Sequence, residues 1–142
     1  MRILLKLLDP DLPVPGHARP GDAGVDLHAR QEVTLAAGDR AIVPTGVAVA
    51  IPEGHAGLVV PRSGLAARHG IGVVNGPGLI DSGYRGEVAV ILVNHGSEPV
   101  TLRRGDRIAQ LVVTPVATQE MMVVDELPTS ERGAGGFGST GS

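Results

Sequence analysis

Glycine and proline interrupt this chain too often for long helices to form. The 142 residues include 21 glycines and 11 prolines, spread along nearly the whole length. Glycine loses the most backbone freedom when fixed in a helix, and proline lacks the N–H that the ladder needs. Turn signals recur about every eight to twelve residues, the spacing of short strands in a β-sandwich or jelly roll.

The strands follow from the apolar pattern between those signals. Met1 to Leu8 reads as a first strand, and Asp9 to Gly21, with four prolines, as extended or looped chain. Ala23–Ala29 alternates with period two. Further strands are expected at Val33–Leu35, Arg40–Ile51 and Ala56–Val60, then at about 71–75, 86–94, 98–102, 106–116 and 120–124. One short helix is expected after Ser63, with Ser63 as its cap and Gly70 as its end. The stretch Asn75 to Glu87, with glycines at 76, 78, 83 and 86, reads as a tight β-hairpin. From Pro128 the composition turns glycine-rich with one apolar anchor. The expectation is a β domain over 1–127 and a mobile tail over 128–142.

Composition narrows the function classes. Tyr84 and Phe137 are the only aromatic residues, so the core must be built from Val, Leu, Ile and Ala. A net charge of −3 argues against a nucleic-acid binder held by general electrostatics, but leaves room for a small phosphate-rich ligand met by a few arginines. The chain has no cysteine, so disulfides and thiolate metal sites are excluded. The six apolar residues of the first eight are broken by Lys6, too few for a signal peptide or a membrane span. The reading is a soluble, cytoplasmic protein with no membrane partner.

Several residues carry chemistry. Pro61-Arg62-Ser63-Gly64 stands between a strand and the short helix; it is a plain helix start or a set of donors for an anion. Gln110 is an amide within an apolar run, and a buried amide must satisfy local groups or face a ligand. Asp26 poses the same choice for a carboxylate: a structural contact or an acid beside a metal. Asp81 is an acid near the middle of the glycine-rich stretch that also holds Tyr84. The tail from Arg132 to Thr140 is like a phosphate-cradling glycine loop but lacks the lysine and spacing of a Walker A loop.

Five segments taken in order, Ala23–Leu27, Pro61–Gly64, Asn75–Glu87, Gly105–Leu111 and Arg132–Gly141, resemble the five motifs of the trimeric dUTPases. The resemblance covers essentially the whole chain. It implies a jelly-roll-like, distorted β-barrel or sandwich, a homotrimer with active sites shared among subunits, and hydrolysis of dUTP to dUMP and pyrophosphate with Mg²⁺. Water attacks the α-phosphate in that family, and the reaction limits uracil incorporation into DNA while supplying dUMP for thymidylate synthesis.

Residue by residue, the resemblance makes Asp81 the acid that activates water, with Gln110 as a contact to phosphate and water. Arg62, Ser63 and Gly64 match phosphate contacts. Asn75, Gly78, Leu79, Ile80 and Ala89 match the uracil-reading segment, and Tyr84 packs under the deoxyribose. Asp26 matches an acid near the metal, acting through water. Arg132, Phe137, Gly138, Ser139 and Thr140 match a closing tail in which Phe137 stacks on the base. Two rival readings remain at this stage. A dCTP deaminase of the same fold resembles this chain, but it looks to place a glutamate where Ile91 stands, and isoleucine cannot relay protons. A non-catalytic dUTP-binding regulatory module is the other.

Overall fold

A computed structural model describes residues 1–141. Ten strands and one helix run in the order β1 (Leu4–Leu7), β2 (Val25–His28), β3 (Val33–Leu35), β4 (Arg40–Ala50), β5 (His55–Val60), α1 (Ser63–His69), β6 (Ile71–Val73), β7 (Gly78–Ile80), β8 (Glu87–Asn94), β9 (Val100–Leu102) and β10 (Arg107–Pro115). They form two four-stranded antiparallel sheets, β1-β4-β8-β6 and β2-β10-β5-β7, with the small pair β3-β9 beside them. The sheets are open, and the architecture is that of the expected jelly-roll sandwich.

Strand β8 explains the layering. Val88, Val90, Leu92 and Asn94 are buried while Glu87, Ala89, Ile91 and Val93 lie on the other face, the period of a strand with one face on the core. Val43, Val47 and Val49 of β4 join the inward set, and Leu27, Val59, Ile108 and Leu111 meet it from the second sheet. No aromatic ring is buried; the largest fully buried side chains are Leu, Ile, Val and Asn94. Asn94 is satisfied: its amide donates to the carbonyls of Leu35 and Glu98, and its oxygen accepts the Gly96 N–H. That closes the end of β8 without leaving a buried polar group unpaired.

Three expectations need correction. The run 75–87 is no tight hairpin: β6 pairs with β8 in the first sheet, whereas β7 between them pairs with β5 in the second. The chain therefore leaves one sheet, adds a short edge strand to the other and returns. A three-residue strand carries too little periodicity to announce that switch. Second, the N-cap of α1 is Arg62, in extended conformation and with no side-chain cap bond, so Ser63 is already helical. Gly70 does end the helix, with φ 68° and its N–H bonded to the carbonyls of Leu65 and Ala66. Third, 120–124 is not a strand. Met121, Met122, Val123 and Val124 are exposed and pair with neither sheet. The last strand ends at Pro115. Among the described residues no helix is long and apolar enough to cross a membrane.

Candidate active site

The expected site residues gather into two groups and a tail. In the first group, β2 and β10 set Asp26 directly opposite Gln110, and Gln110 in turn faces Val60 at the end of β5. Gln110 Nε2 donates to Asp26 Oδ1 at 3.3 Å. Arg62, two residues beyond Val60, brings its Nε to 3.5 Å from the same oxygen. Arg107 brings Nη1 to 3.5 Å from Oδ2, and its carbonyl accepts from Arg62 Nη1 at 3.3 Å. Two guanidiniums thus face one almost fully buried carboxylate, which leaves the cluster cationic and suited to an anion. The Gln110 amide thus donates to a side chain rather than to backbone. Arg107 was not singled out from the sequence; its place two residues after the turn glycine Gly105, at the mouth of β10, was the available signal.

His28 follows Asp26 on the same face of β2. Burial pushes its imidazole below the ordinary value, with Asp26 acting against that and Arg107 and Arg62 acting with it. Its Nδ1 is buried with no hydrogen-bond partner among the described residues. The roof of arginines also explains why β2 lacks clean alternation: Leu27 and Ala29 are covered by the core, and Asp26 by the cluster.

The second group lines an open pocket of about 230 Å³. Its walls include Asn75, Gly78, Leu79, Ile80, Tyr84 and Ala89, all expected to meet the nucleoside, together with Ile91 and Glu87. Tyr84 is folded back over Gly86 and donates from its hydroxyl to the Glu87 carbonyl at 2.9 Å. Only glycine permits that pose, since a Cβ at 86 would lie 2.5 Å from the phenol oxygen. Arg85 ties the turn by donating to the carbonyls of Ser82 and Tyr84 at 2.7 and 2.9 Å. Asp81 follows Ile80; its carbonyl accepts the Tyr84 N–H. Its carboxylate is exposed and makes no hydrogen bond or ion pair to another described residue.

The two groups do not meet within one chain. Gly78 lies opposite Val59, and Ile80 opposite Gly57. Asp81 is therefore four residues along the strand from the row that holds Asp26, Gln110 and Val60, roughly 13 Å at about 3.3 Å per residue. The sheet order adds the width of two further strands between Asp26 and β7. Asp26, Arg62 and Gln110 line no part of the pocket.

The tail stands apart from both. Arg132 donates to the Gly135 carbonyl at 2.8 Å, and the other described bonds of 130–141 are equally local. Phe137 is fully exposed and holds φ at 51°, a left-handed conformation unfavourable for its side chain. Gly138, Ser139 and Thr140 are exposed beside it.

The sequence model of the dUTPase family matches residues 11–141. The chain is 62% identical over 132 residues to the deoxyuridine 5'-triphosphate nucleotidohydrolase of Anaeromyxobacter sp. (strain Fw109-5), covering 93% of this chain and 90% of that one. It is 58% identical over 142 residues to the enzyme of the same name from Thermobifida fusca, covering 99% and 79%. Among solved structures, a mutant dUTPase of Staphylococcus bacteriophage 80alpha with dUpNHpp superposes with a TM-score of 0.92 at 30% identity, covering 99% of each chain. A mutant dUTPase from phage phi11 of S. aureus, described as coordinating a structural Mg(II) ion, superposes with a TM-score of 0.83 at 26% identity, covering 91% of this chain and all of that one. A family match across nearly the whole length, on a fold that carries the motif residues in two defined groups, leads to one conclusion: this chain belongs to the dUTPase family and is an enzyme that hydrolyses dUTP.

Proposed function

We propose that the chain releases dUMP and pyrophosphate by directing water at the α-phosphate, in sites assembled from more than one subunit. The observation that carries this reading is the separation of the cationic cluster from the pocket that bears Asp81 and Tyr84. A substrate with a base and sugar at one end and a triphosphate at the other needs both groups at once. The pocket of one subunit facing the cluster of another supplies them, and a third subunit can supply the tail, giving the homotrimer.

In this arrangement the main chain of Gly78 to Asp81 and of Ala89, with Asn75, reads the uracil edge. Uracil and cytosine present reversed donors and acceptors there, so the wrong base leaves buried groups unpaired. Tyr84 lies under the deoxyribose, where its ring leaves no room for a 2′-hydroxyl. Arg62, Ser63, Gly64 and Gln110 face the phosphates and the water. Asp81 accepts a hydrogen bond from the attacking water and takes its proton as the bond to phosphorus forms; the exposed, unpaired carboxylate is suited to that role. Arg132 pairs with phosphate while Phe137 stacks on the base, and Gly138, Ser139 and Thr140 wrap the phosphates with backbone and hydroxyl donors.

The donor set fits Mg²⁺ bound chiefly by substrate. Asp26 is a hard oxygen ligand, but two arginines flank it, and no group of three or more acidic or histidine side chains lies together among the described residues. Mg²⁺ would be held chiefly by the phosphates of the substrate, with Asp26 as the protein oxygen nearest to it, acting through water. When bound, the ion neutralises phosphate charge.

Two experiments test the reading. Hydrolysis in oxygen-labelled water should place the label in dUMP; label in pyrophosphate would move the attack to the β-phosphate. Mixing inactive Asp81→Asn subunits with inactive Arg62→Ala subunits should restore activity, because some sites then combine two intact groups. No recovery in verified mixed oligomers would mean that each subunit builds its own site.

A further inference from the structure

Glu87 lies beside the sugar-reading tyrosine, opposite an irregularity in β4 that gives its side chain a task. Pro44 of β4 pairs with Ala89 and Ala48 with Glu87, so Thr45, Gly46 and Val47 oppose the single residue Val88. Such a bulge frees backbone groups from the ladder, and here they are buried. The Thr45 hydroxyl donates to the Val88 carbonyl, and the Gly46 N–H donates to Glu87 Oε1 at 2.9 Å. Gly46 holds φ at 74°, and a Cβ there would lie 2.9 Å from the Asp9 Cβ, so no other residue fits the bulge. The same Glu87 oxygen accepts from Arg30 Nη1 at 3.0 Å. Arg30 is itself held by Asp9, at 3.4 Å from Nε, and by the Leu8 carbonyl. The Glu87 side chain is therefore pinned to the frame by two donors, while its main-chain carbonyl is the acceptor for the Tyr84 hydroxyl.

We infer that Glu87 is a positioning residue for sugar selection, its clamped side chain fixing the peptide that holds Tyr84 in place. The inference rests on the proposed reading that Tyr84 contacts the sugar. Tyr84 is 46% exposed, and its hydroxyl makes one hydrogen bond to the protein. With that acceptor displaced, the ring is free to leave its place over Gly86, and a steric filter loses its edge.

The test measures kcat/KM for dUTP and for UTP with Mg²⁺ on the full chain, with a thermal melt of each variant. Glu87→Ala should lower the dUTP:UTP ratio by about tenfold, the scale of a small misplacement at a reacting substrate. Glu87→Gln keeps an acceptor for both donors and should recover most of the ratio. Tyr84→Phe should lower the ratio as Glu87→Ala does, and the double variant should be no worse than the larger single change, since both remove one constraint. If Tyr84→Ala lowers the ratio while Glu87→Ala lowers only the melting temperature, the inference falls and the role of Tyr84 stands. If Tyr84→Ala leaves the ratio unchanged, both fall. Should Glu87→Ala fail to fold, Arg30→Met removes one clamp and keeps the Gly46 bond. A smaller drop in the ratio supports the inference, and an unchanged ratio overturns it.

Discussion

The pocket between Asn75 and Ile91 and the tail from Pro128 are both rich in residues that touch substrate in the proposed site, yet they are held in opposite ways. The pocket is pinned on two sides, by β7 on the second sheet and β8 on the first, with Arg85, Glu87 and the bulge in β4 fastening the turn. The tail has no strand and no described bond to the domain beyond its own neighbours. Energetics account for the contrast. Ordering a residue costs about 1–2 kcal/mol of backbone entropy, and more for glycine. Phe137, the only large apolar group after Leu127, returns roughly 1.5–3 kcal/mol if buried. One ring does not offset ten residues. A region that must recognise a base is best built before the ligand arrives; a region that must let the ligand in and then exclude water is best ordered by the ligand itself.

The hardest blow to this contrast falls on the pocket. Asp81→Asn keeps the shape and removes the negative charge, so kcat should fall by about 10²–10⁴-fold, the range of a lost general base, with dUTP binding retained. Turnover near the wild-type rate would make Asp81 structural. The next sharpens the tail. Truncation after Glu131 should lower kcat/KM by on the order of 10²-fold. It should leave the melting temperature of the ligand-free protein nearly unchanged, since the described bonds of 132–141 are all local. A large loss of ligand-free stability would show that the tail is scaffold.

A subtler break is Gly86→Ala. The added methyl collides with the Tyr84 hydroxyl and must push the ring aside, so KM for dUTP should rise by about tenfold. The melt should barely move, because Gly86 is exposed. An unchanged KM would mean that the observed tyrosine pose is not the binding pose.

The smallest effect tests the frame behind the pocket. The Arg104 guanidinium, bonded to Asp9, holds that carboxyl at about 2 against an ordinary 3.8. A depressed carboxylate stabilises the fold above its unfolded value and ceases to do so as pH falls through its folded value. The melting temperature should therefore decline between pH 4 and pH 2, and Asp9→Asn should flatten part of that decline. An identical acid profile in the variant would remove Asp9 from the account.

Much of this was legible in the residues, and what was not had a common cause. Val33–Leu35 and the helix ending at Gly70 were readable because turn chemistry and apolar spacing are local. The sheet change at β7 was not, since three residues do not reveal which of two sheets they join. Met121 to Val124 misled for the opposite reason: the run has the composition of a strand, but pairing depends on where the fold carries the segment, and composition is silent about that. Within the site, the motif segments named Asp26, Arg62 and Gln110, and the fold brought them together. Arg107 and the clamp on Glu87 were hidden, because each depends on what a bulge or a neighbouring strand sets opposite it.

The scarcity of aromatic residues, met first as a limit on the core, has an optical consequence. With no tryptophan and one tyrosine, the near-ultraviolet absorption and intrinsic emission of the folded protein come almost entirely from Tyr84. Its ring sits in the pocket, with its hydroxyl bonded to a backbone carbonyl. In the proposed site a nucleotide entering that pocket changes the surroundings of the one fluorophore directly, so binding can be followed without a label, and the signal reports on the pocket that holds Tyr84.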